Sequence, residues 1–234
     1  MKGFFLQNCE ILIYFVIQST FMNEEKKNEQ LAAILEMRDM MQRSSRFLSL
    51  SGLAGVLVGC VAILGVGVVY YLLEIPFGST GYLMYLEKAL VANDTALKNI
   101  IFICVMVLIF SLMIGTLMAI RNAKRKGLSI VDNTTKRLVI NMFIPLMVGG
   151  IFIVALLMQH SFSFILPSML IFYGMALLNA SKYSIEDIRY LGLIEMFLGL
   201  LTMFFLDQAL IIWGFGFGIL HMIYGVILYN KYEK

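Results

Sequence analysis

Apolar and polar positions along this chain separate into long blocks. Six blocks, residues 47–73, 100–120, 138–158, 162–178, 191–206 and 209–229, are nearly free of charge. A helix needs about 20 apolar residues to cross a hydrocarbon layer of about 30 Å. The blocks therefore predict six transmembrane helices, the fourth and fifth being short. None shows the alternation of an outer-membrane barrel strand. Only a few residues near Gln159-His160 and Asp207-Gln208 separate blocks three from four and five from six. Turns that tight predict antiparallel hairpins.

The blocks also resemble one another. Arg46-Phe47-Leu48-Ser49-Leu50 opens the first and Arg189-Tyr190-Leu191-Gly192-Leu193 the fifth. Tyr173-Gly174-Met175-Ala176 lies near the end of the fourth and Tyr224-Gly225-Val226-Ile227 near the end of the sixth. Odd blocks start near Arg46, Arg137 and Arg189, and even blocks end near Asn122, Asn179 and Asn230. The pattern predicts an all-α, polytopic membrane helix bundle of three hairpin repeats. Internal repeats are common in transporter folds, with sites at the repeat interface. The Pro-x-acidic-x-x-basic motif of the three-hairpin mitochondrial carriers is absent. Ser184 and Asp187 have the spacing of a helix capping box.

In the flanking segments, Ile34, Met37, Met41, Ser44 and Leu48 recur at 3,4 spacing, which predicts an amphipathic helix over residues 22–46. The transmembrane domain follows over 47–230, then a short tail, 231–234. Residues 1–21 hold an apolar run too short to span. They read as an extension upstream of a start at Met22, with an interfacial segment as the alternative. In the loop after block one, Tyr82–Ala92 is amphipathic and is expected on the membrane surface, and Asn93-Asp94-Thr95 matches a glycosylation sequon.

Composition supports the membrane reading. The chain is 60% hydrophobic and 14% charged, against about a quarter charged in soluble domains. The net charge of +3 is small, but its placement is uneven. Lys26, Lys27, Arg38, Arg43, Arg46, Arg121, Lys124, Arg125, Lys126, Lys136, Arg137, Lys182, Arg189, Lys231 and Lys234 fall on one side, and Lys88 and Lys98 on the other. Short basic loops stay cytoplasmic. Both termini are therefore expected inside, in a multi-pass protein of the cell's inner membrane. The basic loops would touch lipid headgroups, and nothing suggests nucleic acid. Trp213, Tyr70 and Tyr71 on one side and Tyr183, Tyr190 and Tyr232 on the other read as aromatic belts. Cys9, Cys60 and Cys104 have no metal or redox spacing, so no cofactor or metal site is expected.

Ionisable residues at membrane depth are costly and point to function. Glu195 lies in block five and His221 in block six. With the turn centred near Asp207-Gln208 they lie level. Gly192, Glu195, Gly199 and Thr202 share one helical face, and Gly214, Gly218, His221 and Gly225 another. Small-residue stripes mark close helix approaches. The expectation is a Glu195–His221 bond, either a structural clamp or a proton- or cation-binding site. Asn141, in block three with Pro145 one turn on, is placed near the depth of Glu195 by the repeat and joins the candidate site. Ser51, Gly55 and Gly59 form a small-residue face, suited to packing within the bundle or against a second copy. No catalytic motif occurs.

The stretches Arg43-Ser44-Ser45-Arg46-Phe47-Leu48-Ser49-Leu50-Ser51-Gly52, Asn179-Ala180-Ser181-Lys182-Tyr183 and Ile188-Arg189-Tyr190-Leu191-Gly192 resemble a family of uncharacterised six-span inner-membrane proteins of Bacteroidetes-type bacteria. The similarity runs from about Met22 to the C-terminus. It implies a bacterial inner membrane and carries over no catalytic residues. Two functions are therefore carried forward, with a membrane enzyme, marked by polar groups converging at an open outer cleft, as a third class. One is a small-solute or proton/cation-coupled transporter using the Glu–His pair between helices five and six. The other is a sensor or scaffold engaging a cytoplasmic partner through its N-terminal helix. A water-filled cavity reaching Glu195 would mark the first, and a solid bundle with an exposed helix face the second.

Overall fold

The structure, a computed structural model, describes residues 30–37, 51–76, 78–79, 81–92, 95–125, 127 and 133–233. Residues 1–21, Asn93 of the sequon and most of the predicted lead-in helix lie outside them. The chain divides into two compact units, Met1–Arg46 and Phe47–Lys234. In the first, residues 30–37 form helix α1, exposed on every side, with Leu31, Ile34, Leu35 and Met37 all open.

The second unit is helical, with no strand among the described residues. It holds α2 (Gly52–Leu72), α3 (Tyr82–Ala92), α4 (Ala96–Arg125), α5 (Asn133–Met158), α6 (Ile165–Ala180) and α7 (Asp187–Thr202). A last continuous helix comprises α8 (Ala209–Trp213), a π-helical segment (Gly214–Leu220) and α9 (His221–Tyr232). Five helical segments are long and apolar enough to cross a membrane: those containing α2, α4, α5, α6 and the last helix. Large apolar side chains such as Phe102, Leu108, Phe143, Ile151 and Phe197 cover their outer surfaces, as a lipid solvent demands. At 16 residues, α7 is about 24 Å long, less than the apolar layer.

Glycine decides which helices touch. A Cβ on Gly174 of α6 would lie 2.6 Å from the carbonyl oxygen of Gly192 on α7, and one on Gly199 would lie 2.9 Å from that of Pro167. The same holds between α2 and the last helix, where a Cβ on Gly225 would lie 2.6 Å from Gly52 O and one on Gly59 2.6 Å from Gly218 O. Backbones meet directly at these two seams, the closest packing in the bundle. The predicted hairpin of blocks five and six is therefore not the tight pair, because α7 gives its glycine face to α6 and the last helix gives its own to α2. The same contacts correct the second-copy reading of Ser51, Gly55 and Gly59. Gly55 and Gly59 face Gly225 and Gly218 of the same chain, and Ser51 is buried beside Glu233, so that face is already filled.

Three smaller expectations change. Ser184 and Asp187 form no capping box: Ser184 Oγ has no hydrogen-bond partner, and α7 starts only at Asp187, too late for the box. Trp213 is buried in the core with Leu170, Ala209 and Leu210 rather than anchored at an interface. Helix α3 folds back on the bundle, burying Tyr82 and Leu86 against that core and leaving Met84, Glu87 and Lys88 exposed.

Candidate functional site

Glu195 and His221 come together where α7, α6 and the π segment meet. Glu195 is fully buried and His221 nearly so. His221 Nδ1 lies 3.4 Å from Glu195 Oε1 and 3.0 Å from Gly216 O, and Nε2 lies 2.8 Å from the hydroxyl of Tyr173 on α6. In a neutral imidazole these distances suit one tautomer: Nδ1–H donates to Gly216 O and leans toward Glu195, while Tyr173 O–H donates to Nε2. Neither Glu195 oxygen has a hydrogen-bond partner.

The π segment builds this geometry. Its sequence, Gly-Phe-Gly-Phe-Gly-Ile-Leu, alternates glycine over residues 214–218, which lets the helix widen. Such π turns are rare and cluster at functional sites. The widened turn aims Gly216 O at the imidazole. The missing side chain of Gly216 makes room for the carboxyl, since a Cβ there would lie 2.6 Å from Glu195 Oε2 and 2.8 Å from Leu170 Cδ2. Trp213, Phe217 and His221 stack along one face, with ring centroids 4.8 and 5.7 Å apart, and Tyr173 lies against the last two rings. The stripe of Gly214, Gly218, His221 and Gly225 is split by this widening. Gly218 and Gly225 face α2, whereas His221 and Gly216 face α6 and α7.

Other buried hydroxyls nearby are satisfied locally. Ser168 Oγ donates to Phe164 O and Thr202 Oγ1 to Leu198 O, both at 2.6 Å. The Glu195 oxygens stay free, as does the indole N–H of Trp213 in the neighbouring ring stack.

Asn141 does not join the pair, which corrects its placement. Its side-chain amide donates to Arg137 O at 2.8 Å, and its backbone carbonyl accepts from Asn179 Nδ2 at 3.4 Å. Asn179 is level with Asp187, eight residues before Glu195, so Asn141 lies about 12 Å nearer the helix ends. The repeat equated Arg137 with Arg189, but α5 begins at Asn133 and places Arg137 farther out.

At that end the elements are tied together. Lys231 Nζ and the Tyr232 hydroxyl both donate to Asp187 Oδ2 at 2.8 Å. The Lys231 ammonium holds the Asp187 carboxyl below the usual carboxylate range; burial opposes this, and the Tyr232 hydroxyl adds to it. Glu233 accepts from Ser51 Oγ and from the Gly52 amide at the start of α2, an acidic group on a helix N-terminus. Asn122, Arg125, Tyr232 and Glu233 line a cavity of about 140 Å³ there. At the opposite end, Leu83, Leu86, Glu87, Leu90, His160 and Phe162 border a groove of about 280 Å³. Neither hollow borders Glu195 or His221. No protein-family model, curated protein or solved structure matches the chain.

The sequence did not point to Tyr173. It stood in the repeated Tyr-Gly motif and was read only as part of the repeat. A tyrosine one residue before a glycine that faces another backbone was the available signal.

Proposed function

We propose that the chain is a six-crossing inner-membrane protein, with both termini cytoplasmic, that works through an occluded proton-binding site made by Glu195, His221 and Tyr173. The observation that carries this reading is the Glu195 carboxyl, fully buried with both oxygens unbonded beside an imidazole. A clamp serving only stability would use those acceptors, since buried polar groups are normally paired. A net charge at this depth is expensive. The sealed pair is therefore neutral, as acid with neutral imidazole or as carboxylate with imidazolium, two states that differ only in where one proton sits; losing that proton leaves a net negative charge, which requires water to reach the pair. The cavity expected of a solute path does not reach the carboxyl, since neither hollow borders it, so the geometry supports proton binding in a closed state and not solute transport.

In support of six crossings, α7 is apolar from Leu191 onward apart from Glu195, and a short turn joins it to the last helix. In support of the orientation, Arg121, Lys124, Arg125, Lys136, Arg137, Lys182, Arg189 and Lys231 gather at the end where Glu233 meets Ser51 and Lys231 meets Asp187. The resemblance to the Bacteroidetes-type family supports a bacterial inner membrane.

Infrared difference spectra of the full chain in lipid, recorded between acid and alkaline pH, test the site. A protonated-carboxyl band that vanishes in Glu195→Gln and shifts in His221→Ala is expected. Identical bands in Glu195→Gln and the unchanged protein would refute it. Two observations favour the partner-module reading: neither hollow reaches Glu195, and the apolar side chains Leu31, Ile34, Leu35 and Met37 of α1 are open.

A further inference from the structure

The site raises a question of access, and the two directions away from it differ. Toward α3 the pair is capped by the Trp213–Phe217 ring stack and by Leu166, Leu170 and Leu210, all part of one large buried cluster. Leu170 and Ala209 are fully buried within it. Toward the basic end the filling is thinner. It is a separate small cluster, Leu177, Ile185, Ile188 and Leu191, with Leu220, Tyr224 and Leu228 packed beside it. This seam runs from Glu195 to Asp187, eight residues on one helix, or about 12 Å. Tyrosine hydroxyls stand at both its ends, Tyr173 on His221 and Tyr232 on Asp187. Tyr232 also lines the 140 Å³ cavity open at the basic end.

The seam is also joined less tightly than the glycine contacts beside it. Glycine brings α6 against α7, and α2 against the last helix, at backbone contact. Between α7 and α9 the helices meet through side chains of the small cluster instead. A cross-link holds the seam at its mouth: the exposed Lys231 ammonium and the Tyr232 hydroxyl on Asp187.

We propose that Glu195 exchanges its proton with the basic end of the protein, through the α6–α7–α9 seam with Asp187 and Tyr232 at its mouth, and not with the α3 end. The proposal rests on the proton-site reading. When the seam parts, water enters it, and the proton leaves the Glu195 carboxyl across that water to the Asp187 carboxylate and then to bulk. The Glu195 carboxylate is left beside the Nδ1–H of His221. Uptake is the reverse. The titratable groups facing Glu195 are Tyr173 from α6 and His221 from α9, and the π segment contributes none. Those facing Asp187 are Lys231 and Tyr232, with Tyr224 and Tyr190 near.

Cysteine labelling of the full chain in sealed vesicles tests the route. Cys9, Cys60 and Cys104 are first replaced by Ala, and single cysteines follow: Leu191→Cys and Leu228→Cys in the seam, Phe217→Cys in the ring stack, and Asn230→Cys to mark the basic end. A membrane-impermeant maleimide is expected to label the seam positions from the Asn230 side about tenfold faster than Phe217→Cys, reflecting local opening. Asp187→Asn is expected to slow the response of the Glu195 infrared band to a pH jump about tenfold or more. Labelling of Phe217→Cys ahead of both seam positions overturns the route, as does no labelling of either seam position while the Glu195 band still titrates. Either result leaves the proton site standing. Absence of a Glu195 band overturns the site and the route together. Two seam variants are used so that one misfolded protein does not decide the outcome.

Discussion

Replacing Gly174 by Ala tests the idea that backbone contact sets the positions of α6 and α7. The added Cβ would lie 2.6 Å from Gly192 O and 2.7 Å from Met196 N, both backbone atoms that cannot rotate away. Ordinary contact begins near 3.4 Å, so the helices must part by about 0.8 Å. A gap of that size forfeits a quarter to a half of each contact across it. Overpacking of this kind costs about 1–3 kcal/mol, here toward the upper end. Alanine's better helix propensity returns up to about 1 kcal/mol, which leaves a net loss near 2 kcal/mol. Gly150→Ala on α5 is the control, because nothing lies within 4 Å of its Cβ. The same chemical change there is expected to be neutral or stabilising by up to about 1 kcal/mol. Thermal unfolding in detergent, followed by the fluorescence of Trp213, the chain's one tryptophan, reads the difference. Gly174→Ala should also disturb the Glu195 infrared band, since Gly192 lies one turn from Glu195. Equal melting temperatures for Gly174→Ala and Gly150→Ala would refute the argument.

Three further outcomes are expected. Glu195→Gln and His221→Ala should be non-additive in unfolding free energy by about 1–2 kcal/mol, and additivity within about 0.5 kcal/mol would argue against direct contact. Asp187 has a folded-state pKa below its unfolded value of about 3.9, so it contributes stability that is present above that value and is lost as pH falls through the folded one. Melting temperature should therefore fall below about pH 4, and Asp187→Asn should flatten that limb; an unchanged acid limb would contradict the Asp187–Lys231–Tyr232 cross-link. Glu74 and His160 end α2 and α5 with positive φ of 51° and 56°, in the glycine-favouring position of a helix C-terminus. Each also shows the matching bond across the turn, Ile75 N to Tyr70 O and Ser161 N to Leu156 O. Glu74→Gly and His160→Gly should each raise stability by about 0.5–1 kcal/mol, the strain relieved less glycine's entropy; a drop in melting temperature would speak against it.

The helical segments were legible because bilayer thickness imposes a length on apolar runs, and that signal does not depend on packing. The partners of the helices were less legible. Gly192 with Gly199, and Gly218 with Gly225, were read as stripes that drew α7 and the last helix together. In the structure the first stripe packs on α6 and the second on α2. A stripe announces a close approach but does not name the partner. Glu195 and His221 nevertheless meet, because each sits beside its stripe on the flank facing the other helix. Asn141 was misplaced because repeat alignment fixes sequence position and not depth. The π segment is not visible at helical spacing, because a 3.6-residue period joins Gly214 and Gly218 into one face, passes over Gly216, and is not kept by the widened helix.

The widening, the glycines and the buried pair belong to one physical arrangement. Gly216 removes a Cβ where the Glu195 carboxyl sits, and its carbonyl turns toward the His221 imidazole. In a regular α-helix that carbonyl would be taken by a backbone amide four residues on. In the π segment backbone amides bond five residues back instead, and three glycines in seven residues add an entropic cost. Such a cost is tolerated where surrounding packing holds it, and here glycine-sealed backbones hold the last helix on one flank and α7 on its neighbour. Rigid seams on both flanks leave the side-chain contacts between α7 and α9 as the looser boundary beside the pair. Any motion that exposes Glu195 therefore begins at that boundary, at the end where Lys231 and Tyr232 hold Asp187.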